Sequence, residues 1–245
     1  TRYWRDWSSD VCSSDLEVMA TMIVHAHLPR SELLCRLALG KGRAILTRHN
    51  AETFFPKAPR YVSLRLSQWV TKDASLIAIS NAVLTFLKIN MELHSSCNST
   101  VVYYGYKPLS SRKAHSESIS FGKEDGIRIG TISRLTAQKN LNLLIDLTSI
   151  LVDRGYNIQT SILGNGALRK ELESLVQKLK LEAHVKFLGR RADVMDFLNC
   201  LDIFILTSNY EGFGLALLEA MDSSIPIIAS NISAIPEVLS ESHPG

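Results

Sequence analysis

The sequence predicts two α/β units, each a doubly wound parallel sheet. Three observations carry that reading. Short apolar runs alternate with longer helix-period runs along most of the chain. The alternation breaks once, at residues 107–125, a polar stretch rich in Ser with Pro and Gly. The two sides of the break also differ in charge. Residues 17–122 hold 13 basic and 6 acidic side chains, whereas residues 123–245 hold 12 basic and 15 acidic.

In the first half, Met22–Ala26 reads as a strand. Arg30–Leu39 follows as a helix with apolar residues at 33, 34, 37 and 38, and Ala44–Thr47 is a second strand. Val62, Leu66, Trp69 and Val70 form a helix face flanked by Arg60, Arg65 and Lys72. An apolar stripe beside cations suits contact with an anionic membrane surface; packing on the sheet is the alternative. Ser75–Ile79 is a strand, Ser80 can cap the helix Ala82–Lys88, and Thr100–Tyr104 is β-rich up to Gly105.

The second half repeats the pattern. Strands are predicted at Ile127–Ser133, Ile158–Leu163, Val185–Leu188, Ile203–Leu206 and Ile225–Ala229. Helices are predicted at Leu141–Val152, Ala167–Lys180, Val194–Leu198 and Leu215–Met221. In such sheets ligands sit outside the carboxyl ends of the strands, so the loops after strands should carry the chemistry.

Three of them do. Ser208–Met221 places Gly212 and Gly214 in a turn before a helix, where free N–H groups and the positive end of the helix dipole suit phosphate. Glu211 stands at the mouth of that turn. Glu219 lies about five residues into the helix, roughly 8 Å along its axis. The pair could serve the two ends of a nucleotide-sugar; the alternatives are a cap and a solvated helix residue. Arg134 and Lys139 are two cations on the loop after the strand Ile127–Ser133, suited to a diphosphate. Gly164, Asn165 and Gly166 close the next strand and allow close backbone approach, or make a simple turn.

The second half thereby resembles the donor domain of retaining glycosyltransferases of family 4, which have the GT-B fold of two Rossmann-like domains. The residues that carry the resemblance are Glu211 and Glu219 in a Glu-x7-Glu spacing, the Arg134/Lys139 loop, Gly164-Asn165-Gly166, and Ile235-Pro236-Glu237-Val238. It covers about residues 126–240. It implies that Arg134 and Lys139 bind the donor diphosphate, that Glu211 faces the donor sugar, and that Glu219 holds the ribose. It also implies that the amides of Phe213, Gly214 and Leu215 touch phosphate. No metal and no cofactor are implied beyond the nucleotide-diphosphate sugar itself. Ser224 and Ser233-Ala234 depart from the glycines that the family more often carries there. The first half resembles the later part of the acceptor domain: Val24-His25-Ala26-His27, Leu46-Thr47-Arg48-His49-Asn50 and Ile77-Ala78-Ile79-Ser80. The resemblance places His49 near the reacting sugar, with His25 and His27 in support or as structural histidines.

Residues 6–16 resemble one reading frame of a sequencing adapter, so residues 1–16 are expected to be a foreign leader. The remaining divisions are 17–106 for a partial acceptor-side domain, 107–125 for the linker and 126–245 for the donor domain. The family's opening strand and closing helices are not found, so the resemblance implies a fragment with an incomplete N-terminal domain.

Composition excludes other classes. With 46% hydrophobic and 21% charged residues the chain is no disordered scaffold. Cys12, Cys35, Cys97 and Cys200 are widely spaced and give neither a disulfide framework nor a zinc site. The basic half lacks interleaved aromatics, so nucleic acid is not an expected partner. No Gly-x-Gly-x-x-Gly follows an early strand, which disfavours a dinucleotide dehydrogenase. The expected activity is sugar transfer from a nucleotide-sugar to a hydroxyl-bearing glycan or lipid-linked acceptor, in the cytoplasm or at the inner membrane face. The alternatives are a nucleotide-sugar-binding module without turnover and a nucleotide-sugar epimerase of the same fold.

Overall fold

The computed structural model describes residues 23–40, 44–108 and 126–240. The adapter-like run 6–16, Met22 and residues 109–125 of the expected linker lie outside them. The described chain forms two units.

The first unit contains β1 (Val24–His27), α1 (Pro29–Leu39), β2 (Ala44–Arg48), α2 (Arg60–Thr71), β3 (Ser75–Ala78) and β4 (Asn98–Val101). Its strands pair in parallel in the order β1-β2-β3-β4. The pleat sends successive side chains to opposite faces. His25, His27 and Thr47 share one face, while Ala26 and Leu46 lie on the other and are buried.

Helix α2 corrects the predicted face. Its buried residues are Ser63, Ser67, Val70 and Thr71, while Val62 and Leu66 are half-buried and Trp69 is 41% exposed. The serines turn inward because they have partners there. Ser63 Oγ accepts from the Phe55 N–H at 2.8 Å, and Ser67 Oγ donates to the Glu92 carbonyl at 2.8 Å. The apolar residues 62, 66, 69 and 70 are therefore not one exposed stripe. Trp69 instead lies under the Arg36 guanidinium, 5.4 Å from its ring centre.

Beneath α1 and α2 lies a buried ionic group. Arg48 donates to Glu32 at 2.9 Å and to Ser67 Oγ at 3.2 Å, approaches Glu92 at 3.8 Å, and lies over the Phe54 ring at 4.6 Å. Glu32 is 0% and Glu92 2% exposed. Burial pushes the Glu32 carboxyl above its usual range, and the attraction of Arg48 offsets only part of that.

α3 spans Asn81–Ile89. Ser80–Val83 belong to the second unit, with Tyr103 and all described residues after it. The expected strand Thr100–Tyr104 is displaced: β4 ends at Val101, and Tyr103 and Tyr104 pack their rings against Phe213 instead.

The second unit continues with β5 (Ile127–Ile132), α4 (Leu141–Asp153), β6 (Ile158–Leu163), α5 (Arg169–Lys178), β7 (Val185–Gly189), α6 (Val194–Asn199), β8 (Ile203–Leu206), α7 (Leu215–Asp222), β9 (Ile227–Ala229) and α8 (Ile235–Leu239). All five strands are parallel, in the order β7-β6-β5-β8-β9. Ile129, Leu144, Ile145, Ile162, Leu172 and Val176 form the core under α4 and α5. Phe197, Phe204 and Leu217 are buried without exposure. Gly130 makes room for that packing, because a Cβ there would meet Leu201 at 2.5 Å and Phe197 at 2.9 Å.

Two expected elements are shorter than the sequence pattern suggested. α5 starts at Arg169 and stops at Lys178, and Lys180 turns to φ 58°. β9 starts only at Ile227. α8, across Ile235-Pro236-Glu237-Val238, has too few turns to show a period in the sequence. Of the three residues that depart from family glycines, Ser224 and Ser233 stand at φ 54° and 47°, whereas Ala234 is at φ −81°. The two positive angles are left-handed conformations that glycine adopts more cheaply. Among the described residues no helix is long and apolar enough to cross a membrane.

Candidate functional site

The order of the second sheet reverses at β5. The chain moves outward through β6 and β7, then returns to the other side of β5 with β8 and β9. The loops after β5 and β8 therefore leave from neighbouring strands at the switch point, where open α/β sheets bind ligands. These loops carry Arg134, Lys139 and Glu211.

The two loops are joined by several bonds. The Asn209 N–H donates to the Gln138 carbonyl at 2.8 Å, and Asn209 Nδ2 to the Ala137 carbonyl at 3.1 Å. Gln138 Nε2 donates to the Tyr210 carbonyl at 3.0 Å, and Thr207 Oγ1 to the Lys139 carbonyl at 3.0 Å. A short 3-10 turn, Ala137–Lys139, presents Lys139 inward.

There the Lys139 ammonium binds Glu211 Oε1, which also accepts from Ser208 Oγ at 2.7 Å. Glu211 is 5% exposed, so its charge is stabilised by these two donors and little by water. Arg134 is exposed and donates to Gln138 Oε1 at 3.3 Å. Ser208 is a site residue the sequence reading left out; its signal is a hydroxyl three positions before Glu211 in the same strand-end turn.

The helix terminus lies beside this pair. Gly214, at φ 88°, is the residue before α7, and no side chain caps the helix there. Uncapped N–H groups at that end carry partial positive charge. Leu215 is 48% exposed and Phe213 2%. Glu219 lies within α7 and is half-buried.

Gly164, Asn165 and Gly166 pack against the loop after β5. A Cβ at Gly164, which has φ 141°, would lie 1.9 Å from the Ser133 carbonyl oxygen, and one at Gly166 2.4 Å from that of Leu135. The Leu135 N–H donates to the Asn165 carbonyl at 3.1 Å. The close approach these glycines allow is to backbone, and it holds the Ser133–Leu135 segment in place.

In the first unit, the carboxyl ends of β1 and β2 gather three imidazoles. His27 Nδ1 and His49 Nε2 share a hydrogen bond of 2.9 Å, and His25 Nε2 lies 2.6 Å from Thr47 Oγ1. The His25 and His27 ring centres are 4.2 Å apart. Burial lowers the His27 and His49 pKa values, and neighbouring imidazoles lower them further. Both shifts favour the neutral imidazoles, which suits the hydrogen bond His27 and His49 share. Among the described residues no group of three or more His, Cys, Asp or Glu side chains is arranged to hold a metal ion.

Residues 113–245 match the model of the family described as glycosyl transferases group 1. The O-antigen biosynthesis glycosyltransferase WclY of Escherichia coli is 33% identical over 118 residues, which covers 48% of this chain and 32% of that protein. The amylovoran biosynthesis glycosyltransferase AmsK of Erwinia amylovora is 33% identical over 121 residues, 46% of this chain and 30% of that protein. The matches thus span about a third of these curated relatives. Among solved structures, Anabaena HepE in complex with UDP and glucose superposes with a TM-score of 0.72 at 21% identity, over 91% of this chain and 63% of that one. WaaG, a glycosyltransferase of lipopolysaccharide biosynthesis, gives 0.60 at 19% identity, over 81% and 59%. Likeness at that identity establishes the fold alone, and the fold is GT-B.

Proposed function

The chain belongs to the glycosyl transferases group 1 family, and from that premise we propose that it is a retaining transferase of family 4. It moves a sugar from a nucleotide-diphosphate sugar to a hydroxyl of a cell-envelope glycan or its lipid-linked precursor. The observation that carries the reading is the buried Lys139–Glu211–Ser208 group at the switch point, next to the uncapped start of α7.

The diphosphate lies against Arg134, Lys139 and the amides of Phe213, Gly214 and Leu215. The bond from the anomeric carbon to the phosphate oxygen breaks, and these groups stabilise the charge that develops on the leaving oxygen. The acceptor oxygen bonds the same carbon from the same face, and its proton passes to the departing phosphate. Glu211 faces the sugar and Glu219 the ribose. His49, with His27 and His25 in support, is the active-site histidine that the family resemblance implies. The site needs no metal in this reading, because two cations and a helix terminus supply the charge. Gly164, Asn165 and Gly166 support the donor pocket by holding the loop that bears Arg134.

Relatives in O-antigen and amylovoran synthesis support an envelope glycan as acceptor. Neighbours solved with UDP make uridine nucleotides the first donors to test. Peripheral contact of the first unit with the inner membrane face, through exposed Trp69 with Arg65 and Lys72, is part of the proposal.

The test is product analysis with UDP-glucose or UDP-N-acetylglucosamine and a lipid-linked acceptor. An α-glycoside from these α-linked donors is the expected product. A β-glycoside would overturn retention. An interconverted sugar nucleotide, or bound nucleotide without turnover, would replace transfer by epimerisation or simple binding.

A further inference from the structure

We propose that Ser80 is a positioning residue for the phosphate-binding turn at the head of α7; the inference rests on the donor-site reading above. Ser80 and Gly212 are 132 residues apart in sequence and both belong to the second unit. Ser80 is 0% exposed. Its hydroxyl makes two hydrogen bonds, one with the Val83 N–H at 3.1 Å and one with the Gly212 carbonyl at 2.7 Å. The chemistry of the partners assigns the proton. An amide N–H can only donate and a carbonyl can only accept, so Ser80 Oγ accepts from Val83 and donates to Gly212.

The consequence lies one atom further along the chain. The described residues contain no cis peptide bond, so the peptide joining Gly212 to Phe213 is trans. In a trans peptide the carbonyl and the N–H point in opposite directions across one plane. Holding the Gly212 carbonyl toward Ser80 turns the Phe213 N–H away from Ser80, to the opposite side of the turn. That amide is one of the three expected to touch phosphate.

The turn needs such an anchor because glycines flank Phe213 and its backbone has little stiffness of its own. Gly214 is already at φ 88°. The Phe213 ring supplies the second restraint. It is 2% exposed, with the Tyr104 ring edge-on at 5.5 Å and the Tyr103 ring at 6.0 Å. The buried ring fixes the position of the Phe213 Cα and so limits how far the turn can shift. The supports are themselves tied together by Glu237. Its Oε1 accepts from the Asn81 N–H at 2.9 Å and from the Tyr103 hydroxyl at 2.7 Å, and its Oε2 from the Ala82 N–H at 3.1 Å.

The experiment measures pyrophosphate and nucleoside diphosphate affinity by calorimetry on the full chain, for Ser80→Ala, Ser80→Thr and Lys139→Ala, alongside thermal unfolding. Ser80→Ala should weaken both ligands by roughly ten- to a hundredfold, the effect of misdirecting one charge-assisted hydrogen bond. Ser80→Thr, which keeps the hydroxyl, should restore most of the affinity. A purely structural cap would lower the unfolding temperature of Ser80→Ala and leave both affinities unchanged, and that result overturns the inference. If Lys139→Ala also leaves both unchanged, the donor-site reading fails; if only Ser80→Ala does, that reading stands and the Ser80 role falls. A measurement on the unaltered protein covers the case in which Ser80→Ala does not fold. The Phe213 amide resonance should shift on adding pyrophosphate, and an unmoved resonance overturns the inference as well.

Discussion

The Lys139 ammonium and the Glu211 carboxylate meet across 72 residues of chain, with side chains only 13% and 7% exposed. Neither charge is well hydrated, so each depends on the other and Glu211 also on Ser208. The lysine proposed to bind phosphate is therefore paired with the carboxylate proposed to face the sugar. In the proposed mechanism a diphosphate competes with Glu211 for Lys139, whereas Arg134 is already exposed.

The two cations should accordingly behave differently. Arg134→Ala removes an exposed charge and should lower nucleoside diphosphate affinity with the unfolding temperature unchanged. Lys139→Ala should lower both, because it leaves Glu211 buried with Ser208 as its remaining donor. A charge-assisted contact contributes about 1.5–3 kcal/mol, or roughly one to two decades of affinity. Calorimetry and thermal unfolding on both variants measure the split.

Glu211 and Glu219 should separate kinetically. Charge develops at the sugar as the glycosidic bond breaks, so Glu211→Gln should lower kcat more than it raises KM. The ribose is held in both ground and transition states, so Glu219→Gln should mainly weaken donor binding, by about 1–3 kcal/mol. Steady-state kinetics at saturating acceptor decide it, and changes confined to thermal stability would remove both roles.

Glu237 should make stability depend on acid. Burial alone would raise its carboxyl pKa, but the bonds from Asn81, Tyr103 and Ala82 outweigh that and hold it below the usual value. A carboxylate with a lowered folded pKa binds fewer protons in the native than in the unfolded state. Its stabilisation is thus complete above the unfolded pKa, about 4.3, and lost as pH falls through the folded one. Glu237→Gln should cost about 1–2 kcal/mol at pH 7, and the gap to the parent should narrow as pH falls below the unfolded pKa in denaturant titrations.

Ser224→Gly and Ser233→Gly should each stabilise the chain. An L-residue in the left-handed region costs about 1–2 kcal/mol, and glycine's extra chain entropy returns about 0.5–1 of that. A gain of about 0.5–1 kcal/mol per site is expected, read as a higher denaturant midpoint at constant m-value.

Arg48→Met should be among the most damaging substitutions in the first unit. It leaves Glu32 and Glu92, at 0% and 2% exposure, without their shared cation. Removing one partner of a buried pair costs about 3–5 kcal/mol. Adding Glu32→Leu should recover part of the loss, and chemical denaturation of the single and double variants tests the coupling.

Much of the architecture was legible along the chain because strand and helix periods are local. Each segment must bury one face or both, and the spacing of its apolar residues records which. That sufficed for β5 through α7 and for locating the loops that bear Arg134, Lys139, Gly164 and Glu211. It failed at α2, whose inward residues include Ser63, Ser67 and Thr71, because a buried hydroxyl with a partner satisfies the core as well as an apolar group does. It also gave no sign of α8.

The sequence by itself determined the alternation of elements, the family motifs and the chemical types available at each strand end. Only the tertiary structure decided which of those groups meet. Lys139 reaches Glu211 because the strand order turns back at β5 and brings the loops after β5 and β8 side by side. Ser80 reaches Gly212 because the second unit includes residues 80–83. Glu32 on α1 and Glu92 after α3 meet at Arg48, the last residue of β2, 16 and 44 residues away along the chain. Local periodicity specifies how a segment buries its own apolar surface. The pairing of charges across 72 or 132 residues is set by sheet order and packing, which no short window of sequence contains.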